Sequence, residues 1–146
     1  MSFDWINYLS LAEELSKTPN ETPNKEATSR AAISRAYYAA FKKAEEFVVR
    51  RDGFVVQKPK PRGSRSQQDS NEEEQNLGSS HVRVIRQFTR QGSNQYRIKI
   101  GVTLRRIKHH RESADYDADY DGNIDEALNE TLIKAKEIIS KLKVAV

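Results

Sequence analysis

Apolar residues recur along this chain at helical spacing in five separate stretches. Trp5, Tyr8, Leu9, Ala12 and Leu15 share one side of a first helix of about 13 residues, with Asp4 placed to cap it and Pro19 and Pro23 to end it. Thr22-Pro23 reads as an N-cap followed by proline at the first helical position, opening a long helix over about 24–51 that stops before Gly53. Along that helix Ala27, Ala31, Ser34, Tyr38, Phe41 and Val48 form one stripe, with Ile33, Tyr37, Ala40, Ala44 and Phe47 beside it. A face so wide touches two neighbours, which implies a bundle. Ser79 or Ser80 caps a short third helix with Val82, Ile85 and Phe88 inward, and Gln91-Gly92-Ser93-Asn94 breaks it. A fourth helix is predicted over about 95–116 and a fifth from about 124 to the C-terminus. In the fifth, Ile124, Leu128, Thr131, Ala135, Ile138 and Leu142 alternate spacings of four and three, a narrow seam suited to another helix. Phe54-Val55-Val56 is too short for a strand. The predicted class is all-α, an antiparallel bundle of four to five helices.

One stretch breaks the pattern. Residues 55–79 run through Lys58-Pro59-Lys60-Pro61 and Gly63 into Ser, Gln, Asp, Asn and Glu with almost nothing to bury, and are expected to form a long flexible loop. The 146 residues suit a single domain over 1–146, and 36% hydrophobic residues suffice for a core. The absence of cysteine excludes a disulfide scaffold, a thiolate nucleophile and any cysteine-ligated metal, and points to a reducing compartment. No apolar run approaches the roughly 18 residues that cross a bilayer, and Met1-Ser2-Phe3-Asp4 lacks a secretory pattern. The expected location is cytoplasmic, with no membrane partner.

The net charge of +4 conceals a segregation. From Gln75 to Arg111 there is no acid, while Arg83, Arg86, Arg90, Arg97, Lys99, Arg105, Arg106, Lys108 and Arg111 all add positive charge. From Glu112 to Glu137 the sign reverses, with Asp115, Asp117, Asp119, Asp121, Asp125, Glu126 and Glu130 opposed by Lys134 and Lys136. Such a basic block can attract a polyanion such as RNA, or neutralise the acidic face of an adjacent helix.

The fourth helix gathers the candidate chemistry. At about 100° per residue, Ile100, Leu104, Ile107 and Ala114 fall in a sector about 80° wide that faces the bundle, and Arg111 lies in its middle. An arginine turned inward needs a partner, and Asp115 at i+4 can supply one. Two readings stay open: an ion pair that fixes the bundle or a subunit interface, and a functional cleft. His110 flanks the same sector, whereas Arg105 projects from nearly the opposite face.

Ala114-Asp115-Tyr116-Asp117 is repeated at once as Ala118-Asp119-Tyr120-Asp121, followed by Gly122-Asn123-Ile124-Asp125. Asp117, Asp119, Asp121, Asn123 and Asp125 then fall at positions 1, 3, 5, 7 and 9 of an EF-hand-like calcium loop, with Leu128 where the bidentate glutamate would stand. The alternative is an interhelical turn in which Gly122 permits the bend and Asn123 or Asp121 caps the fifth helix. Three histidines with no shared helical face give no zinc site, and no cofactor is expected.

Three phrases, taken together, resemble the HEPN family: Arg35-Ala36-Tyr37-Tyr38-Ala39-Ala40-Phe41, Ser80-His81 with Ile85 and Phe88, and Arg111-Glu112-Ser113-Ala114-Asp115-Tyr116-Asp117. The likeness is to small stand-alone prokaryotic members and runs from about Arg30 to Leu142. It implies a helical bundle, commonly a homodimer, and a metal-independent endoribonuclease or RNA-binding toxin or defence component, often encoded beside a nucleotidyltransferase antitoxin. In that family an arginine and a histidine separated by four to six residues, contributed by both subunits, act on RNA. The histidine serves as base for the ribose 2′-hydroxyl and the arginine holds the phosphorane oxygens. Arg105 to His110 satisfies that spacing, with His109 beside it. A second register aligns Arg111 with the family's arginine and puts Asp115 and Tyr116 where the histidine would stand, which suits a non-catalytic module that binds nucleotide or a partner. Arg35, Tyr38 and His81 are the remaining candidates for a binding or structural role. Arg35, beside Tyr37 and Tyr38, can stack on an aromatic ring or pair with Asp115 across the bundle, the second being expected, and His81 is expected to be a packed residue at a helix start.

Overall fold

The computed structural model describes residues 2–56 and 80–145, which form five α-helices and, among the described residues, no strand. Most of the loop predicted at 55–79, and Ser79 as a cap, lie outside the described residues. Helix α1 spans Ile6–Ser16, α2 Lys25–Asp52, α3 Ser80–Thr89, α4 Gln95–Tyr116 and α5 Ile124–Leu142.

Local chemistry sets the ends. Asp4 Oδ1 accepts from the Ile6 amide at 3.1 Å and so satisfies a donor at the start of α1. Thr22-Pro23 does not open α2; the two residues sit in a turn whose Thr22 carbonyl accepts from the Lys25 amide, and the helix begins after Asn24. Gly53 ends it in the left-handed conformation at φ 68°, letting the Phe54 amide reach the Val48 carbonyl at 3.2 Å. Asn94 caps α4 by accepting from the Arg97 amide. Asn123 caps α5 by accepting from the amides of Asp125 and Glu126.

Helix α2 is the hub and packs against all four others. Its buried side runs through Ala32, Ile33, Ala36, Tyr37, Ala39, Ala40, Phe41, Ala44, Phe47 and Val48. Ala27 and Ala31, expected on the apolar stripe, are exposed instead. The first two turns of α2 bury Ser29, Ala32 and Ile33, so the sequence stripe is shifted by about one helix face there. The α5 seam packs as its spacing requires, with Leu128, Thr131, Ala135 and Ile138 buried. Between α3 and α4 the contact is close: a Cβ on Gly101 would collide with the Thr89 methyl and sit 3.1 Å from Phe88 Cβ. Only glycine lets these two helices approach so far.

Candidate functional site

Ile100, Leu104, Ile107 and Ala114 carry α4 into the core, and the same face carries Arg111, which is only 6% exposed. Its guanidinium lies over three rings, 5.4 Å from the centroid of Tyr37, 5.6 Å from Tyr38 and 5.7 Å from Tyr116. Nη1 sits 3.7 Å from Asp115 Oδ2 and donates to the Tyr116 hydroxyl at 3.4 Å, while Nε is buried without a partner. Asp115 in turn accepts from Ser34 Oγ of α2 at 3.3 Å. A guanidinium has five N–H donors in a planar fork, and its polar contacts with the described residues run through Nη1. The pairing is loose, and the rings hold the cation by its faces.

His81, at the start of α3, stacks on Phe41 with centroids 4.1 Å apart. Its Nδ1 is 2.7 Å from the hydroxyl of Tyr37. Burial, with the Arg111 and Lys108 charges, pushes its pKa down to about 4, and burial pushes the Tyr37 hydroxyl far above its usual range. At neutral pH the tyrosine is therefore the donor, and a neutral His81 keeps its remaining proton on Nε2. Tyr38, His81, Lys108, His109, Arg111 and Tyr116 line an open cleft of about 640 Å³. Lys108 is tied one turn along α4 to Glu112, whose carboxyl is held below its ordinary range by that contact. The cleft thus offers two cations, each beside a carboxylate, with Glu112 and Asp117 also on its lining, and an aromatic side chain, Tyr116, that is 74% exposed.

The other candidates lie elsewhere. His110 is turned toward α5, with Nε2 3.4 Å from Glu130 Oε2, and Glu130 also accepts from Arg106 Nε at 2.7 Å. Burial lowers the His110 pKa and the Glu130 carboxylate opposes that shift. This group lines a separate cavity of about 270 Å³ and is not brought to Arg111. Arg105 is exposed on α4 and shares neither cleft. His109 stands on the wall common to both cavities. Arg35 does not pair with Asp115: it lies over the Tyr8 ring at 4.8 Å, because one residue along α2 turns it about 100° from Ser34, toward α1. Among the described residues no three acids or histidines gather as a metal site. In the acidic turn, Asn123 Oδ1 is committed to the start of α5, and Gly122 makes the bend at φ 101°.

One side chain that fixes the cleft was not among the candidates. Arg30 of α2 donates to the carbonyls of Asp117 at 2.6 Å, Ala114 at 3.0 Å, Ala118 at 3.3 Å and Ser113 at 3.4 Å. It satisfies the orphan acceptors at the end of α4 and places a positive charge on the negative end of its dipole. Asp115 and Tyr116 hang on the segment so held. Apart from Glu26 one turn earlier on α2, the groups Arg30 donates to are backbone carbonyls more than 80 residues away, which no sequence spacing announces.

Compared with known protein families, curated proteins and solved structures, the chain matches none.

Proposed function

We propose that this chain is an RNA-binding protein of the HEPN type, a component of a toxin-antitoxin or defence system, which takes hold of an RNA strand in the Arg111 cleft. The observation that carries the reading is a buried, loosely paired guanidinium at the floor of an open cleft, beside Lys108 and the exposed ring of Tyr116. Strand phosphates need a planar cation and a point charge, and an unpaired base needs an aromatic face. Asp115 positions Arg111, whose guanidinium is a permanent cation, so holding an anion in the cleft requires no proton transfer. The adjoining exposed face of α4, with Ile98 and Val102, suits a second copy of the chain. The companion partner in this reading is a nucleotidyltransferase antitoxin.

Metal-independent cleavage of RNA is the second reading, and the position of His109 on the cleft wall favours it. His81 is the wrong base, since Tyr37 occupies Nδ1 and its pKa of about 4 leaves it little affinity for a proton. In this reading His109 would take the 2′-hydroxyl proton while Arg111 holds the phosphorane oxygens.

Fluorescence anisotropy with a labelled 12-nucleotide single-stranded RNA tests the binding. Lys108→Ala/Tyr116→Ala removes cleft groups while leaving the core intact, and should weaken binding by about tenfold or more. Arg111→Lys keeps the charge but not the fork and should also weaken it. Wild-type protein that binds no RNA at low salt, or a double variant that binds as wild type does, would overturn the reading. For cleavage, wild-type activity on the same RNA in EDTA should vanish in His109→Ala and persist in His110→Ala.

A further inference from the structure

A second cleft of about 730 Å³ opens where the end of α2, the α3–α4 turn and the first turn of α4 meet, and four arginines line it: Arg50, Arg51, Arg90 and Arg97. The one carboxylate on its wall, Asp52, is already engaged. Arg97 donates to both of its oxygens, at 3.0 and 2.5 Å, and Arg90 stands 3.9 Å from it. Arg97 is fixed further by the Gln87 carbonyl at 3.0 Å and by the rings of Phe47 and Phe88. Two buried polar atoms on this wall, Arg97 Nε and Ser93 Oγ, have no partner.

Arg50 and Arg51 favour the negative end of the α2 dipole, which by itself would explain them. Arg90, one residue past the end of α3, suits the negative end of that helix in the same way, yet it lines the same cleft as Asn94, which caps the start of α4. Asp52 offsets one of the four charges, and the excess that remains is repulsive, among the arginines and toward the α4 terminus, unless a further anion lies among them. Helix α3 runs from one cleft to the other. His81 near one end of α3 lines the Arg111 cleft and Arg90, just past the other end, lines this one, with Arg83 and Arg86 on the helix between. Along α4, about 21 Å of helix separates Arg97 from Arg111.

We propose that the Arg50, Arg51, Arg90 and Arg97 cleft is a second phosphate-binding site, which holds the backbone of the same RNA strand that enters the Arg111 cleft. The inference rests on the RNA-binding reading above and extends it to a length of ligand. At 3.4 Å per stacked nucleotide, about six nucleotides bridge the two clefts.

The test compares a trinucleotide, able to fill one cleft, with the 12-nucleotide RNA, able to fill both, in anisotropy titrations between 50 and 200 mM salt (roughly the range over which phosphate contacts dominate). Arg50→Ala/Arg51→Ala/Arg90→Ala should weaken binding of the 12-mer by about tenfold or more and lower its log–log salt slope by about two, leaving trinucleotide affinity unchanged. Lys108→Ala/Tyr116→Ala should weaken both ligands. A control that removes equal charge from elsewhere, Lys17→Ala/Lys134→Ala/Lys136→Ala, should leave the 12-mer affinity near wild type. If the arginine variant binds the 12-mer with wild-type affinity and slope, or the lysine control loses as much, the second cleft is overturned while the Arg111 cleft stands. If wild-type protein binds neither RNA, both readings fall together.

Discussion

Arg111 and His81 show how a protein keeps polar groups inside at neutral pH. The arginine is accommodated by Asp115 and three tyrosine faces, and the histidine is kept neutral by burial against Phe41 and by the charges of Arg111, Lys108 and Lys42. Truncating Arg111 to Ala strands Asp115, which is partly exposed, and opens a void beside Tyr37. We expect a loss of about 1–3 kcal/mol in urea denaturation. The His81 shift carries a pH dependence with a definite sign. An unfolded chain takes up a proton near 6.5 that the fold refuses until about 4. The unfolded state therefore binds more protons in that window, and folding stability falls as pH drops from about 6.5 to about 4. Above it this group contributes no slope. Histidine resonances followed by NMR should show one imidazole still neutral at pH 5; if all three titrate between 6 and 7, the packing around Phe41 is wrong.

At the scale of the element, two close fits decide how the helices sit. Gly101→Ala would gain about 1 kcal/mol of helix propensity on an exposed helix. Here the new methyl strikes Thr89, and we expect a net loss of about 1 kcal/mol or more. Adding Thr89→Ala should restore stability by removing the obstacle, a non-additive pair that thermal denaturation can measure. Arg30→Gln should cost about 1–3 kcal/mol, because the α4 carbonyls it serves lose a charged donor. The helices themselves were legible in the sequence: the seam of α5, the inward face of α4 including Arg111, and Ile85 and Phe88 of α3 follow from spacing, whereas Val82, expected inward, is only half-buried and Val84 is buried in its place. The early turns of α2 were not. Ala27 and Ala31 are small enough to lie on either side, and the buried Ser29 carries no apolar signal. Nor could spacing pair Arg35: neighbouring residues on one helix point to different neighbours, and only the placement of α1 settles that Tyr8 takes it.

For the whole molecule, the distribution of charge matters more than its sum. The basic block of the sequence divides in three dimensions. Arg106 is drawn to Glu130 on α5 and Lys108 to Glu112 on its own helix. Arg90 and Arg97 gather instead at the far end of the bundle around Asp52. Intramolecular neutralisation, one of the two readings the sequence posed, is thus seen at each of these places, and a surface for an anion remains the proposal made above. If RNA is the ligand, its affinity for the full chain should fall steeply with salt, in proportion to the phosphates held. A flat salt dependence would point to contacts of another kind. The candidate site was only partly readable for the same reason: Arg111, Asp115, Tyr116 and Tyr38 come from short phrases, whereas Arg30 and the Arg97–Asp52 pair exist only once distant segments meet.

The fastening of the α4 terminus by Arg30 has a genetic corollary. A random-mutagenesis screen for inactive alleles should return codon 30 alongside codon 111, although the side chain at 30 lies outside the cleft lining. Such alleles would yield soluble protein whose wall at Asp115 and Tyr116 has come loose, and compensating changes should map to the turn at 117–118, which that guanidinium grips.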